Sequence, residues 1–131
     1  MPIHTEIDKD TGIRRHTVTG DLTFATLKET LGTLYQSSEF QPDTNVLWDL
    51  RDAKQALTSK EVDRLADYVG GHWGTRGGSK AAIVVSRDVD FGMARMYEQL
   101  LAIHSSSVVM VFRELEDATS WLHENAESSG A

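Results

Sequence analysis

The sequence predicts an α/β protein built on a mixed, mostly parallel five-stranded sheet, with elements in the order β-β-α-β-α-β-α-β-α. Three observations predict it. Apolar stripes at helical spacing alternate along the chain with short β-prone runs. Two of those runs, Ala81–Ser86 and Val108–Phe112, are apolar on both faces, as interior parallel strands are. The composition, 40% hydrophobic and 25% charged, is that of a globular chain. A length of 131 residues fits one domain spanning 1–131, with a core over about 3–124 and a frayed tail over 125–131.

Each element has its own signal. Ile3 to Asp8 alternates, with Ile3, Thr5 and Ile7 on one face, so it predicts a half-buried strand. Lys9-Asp10-Thr11-Gly12 is a turn, and Ile13 to Thr19 is a second, β-branched strand closing an antiparallel hairpin that Gly20 ends. Asp21 or Thr23 caps a helix reaching about Gln36, with Phe24, Leu27, Leu31, Leu34 and Tyr35 on its inner face. Ser37 to Thr44 is a polar loop. Asn45 to Leu50 is a strand, and Asp52 to Leu57 a loop.

Thr58-Ser59-Lys60-Glu61 is a capping box opening a helix whose buried stripe is Val62, Leu65, Ala66, Val69 and Trp73. Gly70, Gly71, Gly74, Gly77 and Gly78 break it. Asp88 or Asp90 caps a helix from about Phe91 to Ile103, carrying Met93, Tyr97, Leu100 and Leu101 on one side. Ser105 to Ser107 leads to the last strand. Glu114, Glu116 and Asp117 suit the first turn of a final helix, with Leu115, Ala118 and Leu122 inward.

Several function classes are excluded. There is no cysteine, which removes disulfides and thiolate chemistry. A net charge of −7 argues against a nucleic-acid binder. No apolar run reaches the roughly 20 residues of a membrane helix, and the opening residues lack signal-peptide regions. A cytoplasmic protein is expected.

The chain resembles the SpoIIAA-like family of small bacterial proteins, related to STAS domains. The resemblance rests on Thr19-Gly20-Asp21-Leu22-Thr23, on Asn45-Val46-Leu47-Trp48-Asp49-Leu50-Arg51-Asp52-Ala53, on Ala81 to Ser86, on Phe91-Gly92-Met93-Ala94-Arg95-Met96-Tyr97, and on Val111-Phe112-Arg113 followed by Ala118 and Trp121-Leu122. It runs from about Ile3 to Leu122 and implies a small β-α superhelix. STAS relatives bind protein partners, and some bind nucleotides or lipids; similar CRAL-TRIO folds bind lipophilic ligands. Sporulation-type relatives carry a phosphorylatable serine after the strand matching Asn45–Leu50. Here that stretch reads Arg51-Asp52-Ala53-Lys54-Gln55-Ala56-Leu57, and Thr58 and Ser59 come later, in the helix cap. Asp52 could stand there as a fixed negative charge.

Three clusters could carry function. Asp49, Arg51 and Asp52 gather at a strand end, where open α/β sheets bind ligands; the simpler reading is a local ion pair. Gly70 to Lys80 has glycines but not the order of a phosphate loop, and it follows a helix; His72, Trp73 and Arg76 there could still cover a pocket. Phe91, Gly92, Met93 and Tyr97 open a helix whose free N–H groups, with Arg87 or Arg95, could receive an anion; core packing is the simpler reading. The five histidines (His4, His16, His72, His104 and His123) show no metal spacing, so no metal and no cofactor are expected.

These readings converge on a non-enzymatic binding or regulatory protein. It would hold a protein partner, first of all a second copy in a homodimer, or a small lipophilic or anionic ligand. The site residues expected are Asp49, Arg51, Asp52, His72, Trp73, Arg87, Phe91, Gly92, Met93 and Tyr97. The ligand reading predicts an apolar cavity behind Met93 and Tyr97. The rival reading is an enzyme using Asp49, Asp52 and His72 for acid–base chemistry.

Overall fold

A computed structural model describes residues 3–36, 45–73, 80–104 and 108–123. The elements are β1 (Ile3–Ile7), β2 (Arg14–Leu22), α1 (Phe24–Gln36), β3 (Val46–Gln55), α2 (Ser59–Trp73), β4 (Lys80–Val84), α3 (Asp88–His104), β5 (Val108–Phe112) and α4 (Leu115–His123). The five strands lie side by side in chain order. β1 pairs antiparallel with β2, and every later pair is parallel. The expected α/β class and element order are those observed.

Strand order dictates where the helices go. Each parallel step advances in one direction across the sheet, and right-handed crossovers then place α1, α2 and α3 on the same face. That face holds the larger core, with Val18, Leu22, Val46, Ala81, Ile83, Val85, Val109 and Val111 under Leu27, Leu31, Leu65, Val69 and Leu101. α4 follows the last strand and packs on the opposite face, where Ala118 and Leu122 meet Ile13, Leu47, Ala82 and Val84. Its C-terminal carbonyls are tied down from the strand ends. Lys80 Nζ donates to the Trp121 carbonyl at 3.1 Å, and Asn45 Nδ2 to that of Leu122 at 3.3 Å.

Several boundaries and faces differ from the sequence reading, each for a tertiary reason. β2 does not stop at Gly20; that glycine takes φ +75° and the strand runs on to Leu22. β3 does not stop at Leu50. Asp52 to Gln55 pair with Thr19 to Leu22, so the expected loop is strand as far as Gln55. The register slips there: Thr17 faces Asp49, but Thr19 faces Asp52. β3 thus carries one extra residue, a β-bulge. Val46, Trp48 and Leu50 face the helices before it, and Ala53 and Gln55 after it.

In β1 only Ile3 is buried, because Thr5 and Ile7 lie on an edge strand. β5 is the other edge, so Val108 and Met110 are exposed rather than interior. α2 runs through Gly70 and Gly71 to Trp73. Gly70 is buried and Gly71 exposed, and both are helical against their low propensity. The box at its start is present: Thr58 N–H donates to Glu61 Oε1 at 2.9 Å, and Glu61 N–H to Thr58 Oγ1 at 3.2 Å. Thr23, not Asp21, caps α1, accepting from the Thr26 N–H. α3 begins at Asp88, so Asp88 and Asp90 lie in its first turn. The expected loop at 37–44 and the connections at 74–79 and 105–107 lie outside the described residues, as does the expected tail.

Candidate functional site

The larger core is not closed. Between the sheet and α1, α2 and α3 lies a cavity of about 1050 Å³ free of protein atoms, counting its mouth. The centre of a water-sized sphere can move through about 110 Å³ of it, where about 10–15 Å³ holds one water. Its ceiling follows the inner side of β3 from Val46 through Trp48, Leu50 and Ala53 to Gln55. Its floor is built by the apolar stripes of the three helices. Met93, Ala94 and Tyr97 of α3 line it, where a cavity was expected.

Four polar side chains enter this wall: Arg14, His16, Gln55 and Asp90. Arg14 and His16 occupy alternate inward positions of β2, and both are buried. The His16 ring stacks on Trp48, centroids 4.1 Å apart and planes 29° apart. Its Nδ1 lies 2.7 Å from Thr5 Oγ1, on the edge strand. Its Nε2 is buried with no hydrogen-bond partner. Burial, and secondarily the Arg14 charge, pushes His16 down from 6.5 to about 3, so the ring is neutral. Asp90 is held by Arg87, whose Nε donates at 2.8 Å and Nη2 at 3.1 Å. Gln55 Oε1 accepts the Leu57 N–H at 2.6 Å.

Asp49, Arg51 and Asp52 sit at the bulge of β3. Asp49 is on the face away from the cavity and only 5% exposed. Arg51 grips it with two side-chain bonds, Nε to Oδ1 at 2.9 Å and Nη2 to Oδ2 at 2.8 Å. The Arg51 N–H adds a third at 3.2 Å, and Arg15 Nη2 a fourth at 3.0 Å. Those bonds, Arg51's first, overcome burial and hold the carboxyl down at about 2. The local ion pair is therefore present, and Arg15 joins it from the neighbouring strand. Asp52 is exposed.

The start of α3 is acidic in its own right. Asp90 takes Arg87, and Asp88 takes Arg113 Nη1 at 2.6 Å. The Arg113 guanidinium also lies over the Phe91 ring, 4.6 Å from its centroid. Gly92 is exposed, with open space around it. Met93 and Tyr97 point to the cavity side, whereas Asp49, Arg51 and Asp52 do not join them there. His72 and Trp73 fall in the last turn of α2, but their side chains, and Arg76, lie outside the described residues. Among the described residues no group of three or more acidic or histidine side chains could hold a metal ion. No helix among them is long and apolar enough to cross a membrane.

Sequence reasoning missed Arg14 and His16. The signal was available: two polar residues at alternate positions, in phase with Val18 and Leu22 on the buried side of a strand.

No family model matches the chain, and no curated protein matches it. Among solved structures it is similar to an uncharacterised protein of the DUF3478 family from Shewanella loihica PV-4, described as having a SpoIIAA-like fold. The TM-score is 0.58 at 17% sequence identity, over 92% of this chain and 91% of that one. The fold is SpoIIAA-like.

Proposed function

We propose that this chain is a non-enzymatic binding protein that holds a small lipophilic ligand between its sheet and helices α1, α2 and α3. The cavity carries this reading. About 110 Å³ of it is open to the centre of a water-sized sphere, several times the roughly 10–15 Å³ that holds one water. Its walls are leucine, valine and isoleucine with Trp48, Met93 and Tyr97, and a few polar groups converge on it. Protein cores are otherwise close-packed, so a void of this size loses dispersion contacts that a ligand would restore. Acid–base chemistry is the weaker reading, since Asp49 is a locked counterion and a carboxyl near 2 is a poor base.

Native mass spectrometry of freshly purified protein tests the proposal. A retained apolar compound, or saturable uptake of the neutral dye N-phenyl-1-naphthylamine that solvent extraction of the protein increases, is the expected result. A protein that binds neither would defeat it.

The expected homodimer has one observation in its favour. Val108 and Met110 are exposed on the unpaired β5 edge, Val108 at 52%, on the face of the sheet away from α3. A second copy would have its place there. Sedimentation of wild type and Val108→Lys tests it. A wild type that stays monomeric at high concentration ends that reading.

A further inference from the structure

We infer that His16 is the polar anchor of the ligand site, and that the ligand is an uncharged lipophile carrying a hydroxyl group. This rests on the ligand-binding reading above and narrows it. His16 is 1% exposed, lines the cavity, and has one ring nitrogen, Nε2, buried without a partner. An unmet buried polar atom costs free energy unless something in the cavity meets it.

Two other polar groups of the wall are already occupied: Asp90 is neutralised by Arg87, and Gln55 Oε1 accepts from the Leu57 N–H. Arg14 has an interaction of its own, and its Nε, like His16 Nε2, is buried without a hydrogen bond. A charged head group would lose its hydration on entering this mostly apolar wall. A neutral head group meets no such penalty.

The Thr5 contact decides between neutral groups. If the Thr5 hydroxyl donates to Nδ1, Nε2 carries the proton and is a donor. If Nδ1 donates to Thr5, Nε2 accepts. A carbonyl oxygen meets only the first tautomer, whereas a hydroxyl meets both. The ring is fixed for either role, because it is stacked on Trp48 and tied to β1. The hydrocarbon part would then lie under β3 and over the helix stripes.

The experiment is displacement of N-phenyl-1-naphthylamine by dodecanol, dodecanoate and 1-chlorododecane, with wild type and His16→Phe, which keeps an aromatic ring on Trp48. In wild type, dodecanol should compete about three- to tenfold better than 1-chlorododecane, the worth of one net hydrogen bond. Dodecanoate should be the weakest of the three, and His16→Phe should bring dodecanol to parity with the chloride. Imidazole nitrogen shifts in unmutated protein give a second readout: Nε2 should move with dodecanol and not with the chloride. Failure of wild type to bind the dye or any competitor would sink the ligand site itself. Binding of all three with no advantage for dodecanol, an unmoved Nε2 signal, or tightest binding of dodecanoate would leave the site and overturn the anchor.

Discussion

His16 is stacked on Trp48, ring centroids 4.1 Å apart, at a position that packs a neutral imidazole into a mostly apolar wall. This fixes a pH dependence. The folded ring takes up a proton only near pH 3, while an unfolded histidine does so near 6.5. Between those values the unfolded chain binds the extra proton, so stability falls as pH falls through 6.5 toward 3. From pH 7.5 to 5 the loss from this group is about 2 kcal/mol. Urea melts at the two pH values check it. In His16→Phe the pH sensitivity over that interval should shrink by that amount.

Asp49 gives the opposite chemistry with the same sign. Its carboxyl is held at about 2 rather than 3.8, so its contribution is present above about pH 3.8 and lost as pH falls toward 2. Asp49→Asn keeps the shape but leaves Arg15 and Arg51 unmatched. It should cost about 2 kcal/mol at pH 7, the scale of charged hydrogen bonds. The difference from wild type should narrow below pH 4. Equal stability at pH 7 would mean that the two guanidiniums are satisfied by water.

Ala94 tests whether the cavity is empty space or packed core. Ala94→Leu adds three carbons to the lining. In a filled core such a change costs about 1–3 kcal/mol. Here it should be neutral or stabilise by up to about 1 kcal/mol, and it should weaken uptake of the naphthylamine dye. Denaturant melts of dye-free protein, with dye titrations, read both effects.

Gly20 separates backbone strain from packing. Its φ of +75° is unfavourable for other residues, yet a Cβ there would meet no atom within 4 Å. Gly20→Ala should therefore destabilise by about 1 kcal/mol through the backbone alone. No neighbouring side chain should shift in the variant's spectrum beyond the strand ends around Leu22 and Gln55.

The sequence made the order of elements readable because strand and helix periods differ. The Thr58–Glu61 box was readable because its partners are three residues apart. The second half of β3 was not. Asp52 and Lys54 are exposed, and they become strand only by pairing with the far end of β2. β5 reads as interior because Val-Val-Met-Val-Phe is apolar throughout, and nothing local says that no strand lies beyond it. The cavity was anticipated only at Met93 and Tyr97. A void is lined by the residue types that fill a core, so composition does not distinguish them. On β2, Arg14 and His16 broke the pattern.

The added residue in β3 has a consequence for how this protein can tolerate change. Because strand side chains alternate, removing Arg51 would leave a smooth ladder in which Ala53 and Gln55 still face inward and Lys54 outward. Straightening the strand with all its residues kept would instead turn those three over, and Lys54 would be thrust among leucines. The two halves of the cavity share a roof only through that half-step in phase. This short stretch therefore tolerates the loss of a residue better than it tolerates the loss of its kink.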